Sequence, residues 1–481
     1  MPFIVARSLV LTSLLHFLLV GCSAPENTSR AYTYFGGEIV NPLTDYVVLR
    51  NTRGHKDTIL LDKNNRFLHK IENVEDGLYS FKHNPEHQIM LIEKGDSILI
   101  RVNTLEFDES LVFTGIGARK NNFLIDVFLK NETDLDKLKK NRFAQTPELF
   151  KENQDSILKF HQKSFQKLVN KYQLTDLAKK VTESSFIFGY YNRHEQYFKS
   201  QYDQGNQSVL KEIPASFYAY RNQINFNDSH LKRLYSYNRF LHHYFTNLAL
   251  TDDKGNLSKL STNFKKTQHQ LNLIDCKVEN PNIKNNLLRR STLNFLLNSK
   301  NNIESDSILT QFLATTSNKK SRAKMTTLYH AISKLRPNSV IPDQELVNLE
   351  GETVQLSSLF NKPITALYFW SMNHKNHYVR AHQKATYLNT LYPDINFIAV
   401  NIDDNETENW LNTVKRHQYN LNQEYGFKYP KCSFEELVIH YRNKVILVDN
   451  EGKIINARAD LFASIFEKQL MQYTQLASIE N

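Results

Sequence analysis

The chain has 481 residues, 41% apolar and 23% charged, which allows two or three domains with real cores and excludes wholesale disorder. Gly and Pro are scarce, at 14 and 12, which disfavours collagen-like and glycine-rich architectures and leaves room for long helices. The net charge of +10 is spread out: the densest basic runs, Lys137 to Arg142 and Lys319 to Lys324, are short, helical in pattern and free of interleaved aromatics, so no nucleic-acid partner is expected. Three cysteines exclude a disulfide-stapled scaffold and any four-thiolate metal centre.

Residues 1–21 read as a targeting segment outside the fold. Arg7 is a sparse positive n-region, and Leu9 to Val20 is an apolar stretch too short and too interrupted to span a bilayer. It ends in Leu19-Val20-Gly21-Cys22, which resembles a bacterial lipobox. That resemblance implies acylation of Cys22, a multi-chain lipid anchor and a body held at the membrane of the cell envelope, at the outer membrane facing the periplasm. Residues 22–31 read as a polar tether.

From residue 32 to 117 the apolar period is mostly two. Phe35 to Val40, Tyr46 to Arg50, Thr58 to Asp62, Leu78 to Lys82, Ile89 to Glu93 and Ser97 to Val102 are expected strands, with a last one within Ser110 to Gly117. Short strands at this spacing predict a small β-sandwich or barrel. Residues 118–335 switch to helical spacing. Leu158, Phe165, Leu168, Val169 and Tyr172 form one stripe, Phe186, Tyr190, His194 and Tyr197 a second, and Leu234, Tyr237, Leu241, Tyr244 and Leu248 a third. Ile283 to Leu297, Ser305 to Leu313 and Lys319 to Leu335 complete an all-helical region, in which His242, His243 and the tyrosines are read as packing residues.

Arg336-Pro337-Asn338-Ser339 is read as a linker, and residues 336–481 as an α/β domain. A hairpin is expected around Glu350-Gly351, strands at Ile364 to Trp370, Ile395 to Ile402, Lys444 to Val448 and Lys453 to Asn456, and helices at Asn376 to Tyr392, Thr407 to His417 and Asp460 to Tyr473. The fold class is therefore multidomain α+β. The run "LVNLEGETVQLSSLFNKPITALYFWSMNHKNH", then "FIAVNIDD", then "VILVDNEGKII" resembles a TlpA-like thioredoxin domain over roughly the last 140 residues. The layout of lipobox, β region, helices and thioredoxin-like end also resembles envelope lipoproteins of the Bacteroidota type.

The departures from that family are chemical. Aligned on Phe369-Trp370, the family's two active-site cysteines correspond to His374 and His377, and its cis-proline to Asn443. Thiol–disulfide exchange needs a thiolate and a resolving sulfur, which imidazole cannot supply. The resemblance with those replacements implies a redox-inactive binding or scaffolding module with an unidentified protein or peptide partner, no cofactor and no catalytic residue. Two alternatives belong to other classes. One is a thiol–disulfide oxidoreductase or peroxidase of unconventional residues, for which Cys432 is a lone candidate thiol and Cys276, expected to be buried, is a poorer one. The other is a metal-binding module on His374, His377 and His382, although the five-residue step from His377 to His382 suits one helical face badly.

Overall fold

A computed structural model describes residues 32–141, 143–251, 257, 262–403 and 407–480. Cys22, the targeting segment and the tether lie outside the described residues. The chain divides into two compact units: the described residues up to Ala219 with His230–Asn238, and Tyr220–Ser229 with the residues from Arg239 on.

The first unit begins with eight strands: β1 (Thr33–Val40), β2 (Tyr46–Arg50), β3 (Lys56–Leu60), β4 (Arg66–Ile71), β5 (Gly77–His83), β6 (Glu86–Ile92), β7 (Ser97–Asn103) and β8 (Val112–Ile116). They form two four-stranded sheets, ordered β4-β1-β7-β8 and β3-β2-β5-β6. Alternation sends Phe35, Ile39, Val47, Leu49, Phe81, Met90, Ile98 and Val102 into one shared core. Strand β4 was not anticipated, because its single fully buried pair, Phe67 and Ile71, is interrupted by charged and exposed residues. A short helix, α1 (Phe107–Ser110), precedes β8, and α2 (Ala118–Lys140) closes the core with Ala118 and Ile125. Helices α3 (Pro147–Lys171), α4 (Asp176–Asp203) and α5 (Gln207–Glu212) follow. Thr146 and Thr175 cap α3 and α4 through their hydroxyls, as N-cap threonines do. Helix α6 (Tyr235–Leu248) begins in the first unit and ends in the second.

The second unit holds α7 (Asn263–Lys277), α8 (Pro281–Asn298), α9 (Asn302–Thr315) and α10 (Lys319–Lys334), then a seven-stranded mixed sheet. Its strands are β9 (Glu345–Val347), β10 (Thr353–Gln355), β11 (Ile364–Trp370), β12 (Ile395–Asn401), β13 (Glu424–Phe427), β14 (Lys444–Asp449) and β15 (Ile454–Asp460), in the order β10-β9-β13-β12-β11-β14-β15. Helices α11 (Lys375–Leu391), α12 (Thr407–His417), α13 (Pro430–Glu436) and α14 (Phe466–Glu480) complete it. β11 runs parallel to β12 and antiparallel to β14, and all seven of its residues are buried.

A strand buried on both faces needs cover on both. One face packs on α11 and α14 through Ala381, Ala385, Leu388, Phe466 and Leu470. The other carries Leu367, Phe369, Ile398 and Val400, and α10 helps to cover it with Ala331, Leu335, Leu328 and Ile332. The expected boundary at 335/336 is therefore not a packing boundary. Nor is Arg336 to Ser339 a free linker: Asn338 N donates to Ile454 O (2.8 Å) and Ile454 N to Ser339 O (2.8 Å), tying it to β15. The residues read as one helical region, 118–335, are shared between the two units.

Candidate functional site

The site expected from sequence lies where β11 hands over to α11. Trp370 ends the strand, and Ser371 to His374 form the connection. Asp403, just past β12, holds that connection: Ser371 Oγ donates to Oδ1 (2.5 Å), Met372 N to Oδ2 (2.6 Å) and Asn373 Nδ2 to Oδ1 (3.2 Å). The acidic end of "FIAVNIDD" is thus a clamp on the loop before the helix.

His374 is the N-cap residue of α11, with φ −131° and ψ 68°, and its side chain does not cap the helix. Its carbonyl does, accepting from His377 N (2.9 Å) and Tyr378 N (3.0 Å). His377 stands in the first turn, partly buried, its ring edge-on to Phe462 at 6.1 Å. Burial, then the charge of Arg442, then His374 push its pKa below the ordinary imidazole range, against the influence of the Asn443 amide. The ring is therefore neutral at neutral pH. The Asn443 amide lies near His377 without closing a well-aligned hydrogen bond, and Nε2 of His377 is buried without a partner. The peptide bond before Asn443 is trans, since the one cis bond among the described residues is Asn84–Pro85. Its carbonyl accepts from Leu461 N at 2.9 Å, so that group is used within the sheet.

His382 does not join the other two histidines. It is 3% exposed and turned into the core, where Nδ1 lies 2.7 Å from Tyr378 O and Nε2 lies 2.8 Å from Glu424 Oε1. Tyr419 stacks flat on the ring (3.7 Å between centroids, 2° between planes), and Trp370 meets it edge-on at 5.0 Å. The carbonyl of Tyr378 fixes a proton on Nδ1, so the second contact shares one proton between imidazole and carboxylate. Burial raises the pKa of Glu424, and contacts to His382 and to the indoles of Trp370 and Trp410 oppose that shift. Neither indole closes a well-aligned hydrogen bond on Oε2. On the solvent side the pair borders a concavity of about 740 Å³ between α11 and the α12–β13 connection, lined also by Gln383, Thr386, Asn389 and Gln418.

Both ring nitrogens of His382 are engaged, so His374, His377 and His382 do not converge on a common ligand position. Among the described residues no group of three or more His, Cys, Asp and Glu is arranged to hold a metal. Sequence reasoning missed Glu424 altogether. β13 is only four residues long and follows a polar stretch, Asn420 to Gln423, that hides its pattern. Cys276, expected to be buried, is exposed near the end of α7, and Cys432 is exposed on α13. An amphipathic helix offers a cysteine either face, and Cys276 falls on the outer one while Leu271 and Ile274 point inward.

The parallel β12-β11 pair, the antiparallel β14-β15 hairpin and the helices after β11 and β15 decide the fold of this unit. It is thioredoxin-like. No protein-family model matches the chain, and no curated protein matches it. Solved structures do. The thioredoxin domain of a thiol-disulfide oxidoreductase from Bacteroides vulgatus is 20% identical over 29% of this chain and 98% of its own, with a TM-score of 0.24. A thiol:disulfide interchange protein from Bacteroides sp. is 20% identical over 30% of this chain and 92% of its own, with a TM-score of 0.25. A thioredoxin-like protein from Bacteroides caccae is 14% identical over 58% of this chain and 92% of its own, with a TM-score of 0.33. Among the described residues no helix is long and apolar enough to cross a membrane.

Proposed function

We propose that this protein is an envelope lipoprotein, anchored through Cys22 at the outer membrane and facing the periplasm, whose thioredoxin-like unit is a redox-inactive binding or scaffolding module. The observation that carries this reading is that the turn from β11 into α11 carries His374 and His377 and no cysteine, with a trans bond before Asn443 where the resemblance expects a cis-proline. A neutral imidazole can orient a polar partner, but it offers no sulfur for a mixed disulfide. The recess beside His382 and Glu424, apolar with polar groups at its edge, adds a concave surface of the kind that binding modules use. The partner is a protein or peptide, with no cofactor and no nucleic acid involved.

The test is insulin reduction with dithiothreitol. The chain is expected to add nothing to the uncatalysed rate, and measurable catalysis would overturn the redox-inactive reading. Detergent partitioning tests the anchor separately: the protein should enter the detergent phase, and Cys22→Ala should stay out of it. Crosslinking in intact cells followed by pull-down would identify the partner.

A further inference from the structure

The outward face of the sheet β3-β2-β5-β6 concentrates positive charge in a way its own strands do not balance. Strand register sets Arg50 directly opposite Lys56 and Lys82 directly opposite His87. Like charges facing each other across a ladder are destabilising, so the Arg50–Lys56 pair is not there for sheet stability. Arg233, in the same unit, joins them by donating from Nη1 to Arg50 O at 3.3 Å. These five side chains line a concavity of about 550 Å³ whose apolar floor includes Val48 and Ile89. No carboxylate lines it, and Arg50, Lys56, Lys82 and Arg233 form no ion pair among the described residues. The acids close by in sequence are used elsewhere. Asp57 lies near His55 and His69, and Glu75 is held by Arg53 and Thr52. Ser80, Asn84 and Tyr46 add neutral hydrogen-bonding groups at the rim.

We propose that this concavity binds a phosphate-bearing ligand. Two guanidinium forks match the paired oxygens of a phosphate, two ammonium groups supply point charge, and the four together suit a ligand carrying at least two negative charges. A single carboxylate would leave most of the like-charge repulsion in place. The phosphate can come from a free polyphosphate or from a lipid headgroup, and both offer the same oxygens to the same side chains.

Calorimetric titration of the full chain at low salt separates these sources. One arm uses inorganic pyrophosphate, and the other uses dihexanoyl phosphatidylinositol 4-phosphate, whose headgroup carries more than two negative charges, below its micellar concentration, with dihexanoyl phosphatidylcholine as control. Saturable binding to either anionic probe is expected, weakening as salt rises. In Arg50→Gln with Lys82→Gln it should weaken at least tenfold, while Lys319→Gln with Lys320→Gln, on α10, should bind as the parent does. The probe that binds identifies the source. A thermal shift on adding the probe should appear in the parent and vanish in the Arg50/Lys82 variant, whose own melting temperature should not fall because opposed charges have been removed. Binding of neither probe, or equal binding by both variants, would overturn the proposal.

Discussion

The two ends of the first two turns of α11 hold histidines in opposite circumstances. His374 and His377 stand at the helix start, partly exposed, and one of them meets Asn443. His382 lies five residues beyond His377 in the core, both nitrogens engaged and an aromatic ring flat against it. The first locale can change identity at little cost to the fold, and the second cannot. The two locales are therefore separable, and each can be attacked alone.

The harshest attack is on the buried pair. Glu424→Ala leaves Nε2 of His382 and two indole N–H groups facing a void, and should cost roughly 3–5 kcal/mol, as removal of one partner of a buried ion pair does. Urea unfolding of the second unit would measure it. Glu424→Met combined with His382→Leu should cost clearly less than either single change, because neither charge is then stranded. A single-variant cost under about 0.5 kcal/mol would erase the contrast between the two locales.

Lys444, next to Asn443, sharpens the comparison through pH. It is 3% exposed, its ammonium donates to the carbonyls of Leu437 (2.8 Å) and Val438 (3.0 Å), and burial followed by the charge of Arg458 brings its pKa down to about 7. The unfolded chain binds the extra proton between that value and the ordinary lysine range, near 10.5. Stability therefore rises with pH across that window, by up to about 5 kcal/mol at about 1.4 kcal/mol per pKa unit. Lys444→Met should flatten the rise, and an unchanged slope would mean the ammonium is solvated in the folded state.

A third experiment installs a thiol pair at the helix start. His374→Cys with His377→Cys should form a disulfide yet reduce insulin poorly, because Asn443 still faces it. Adding Asn443→Pro should raise the rate about tenfold, and strong activity from the two cysteines alone would show that Asn443 is no obstacle. The smallest effect is expected of His374→Ala with His377→Ala, within about 0.5 kcal/mol by thermal denaturation. A larger loss would make the helix start a structural element like the buried pair.

Sequence by itself determined most strands of the second unit, but not the four-residue β13 or the helices α7 and α13. Six apolar residues and one threonine from Ile364 to Trp370 read as a doubly buried strand, and that strand is found with those bounds. It also proposed His374, His377 and Asn443 as the counterparts of the family's motif positions, because those motifs are local and countable from Trp370 and Asp449. Side-chain direction lay beyond it. Whether His382 faces its neighbours on α11 or turns inward depends on where the helix starts and on a carboxylate 42 residues away, supplied by a strand of four residues. The same holds for the sheet's second face. Nothing in Lys319 to Leu335 says that its apolar stripe will cover β11 and β12 rather than another helix, and only the tertiary structure brings Ala331 and Leu335 against Leu367 and Ile398. Local pattern decides which residues are buried, because periodicity is a property of one segment. Which segments bury each other is decided by the free energy of the whole packed arrangement, which no single segment encodes.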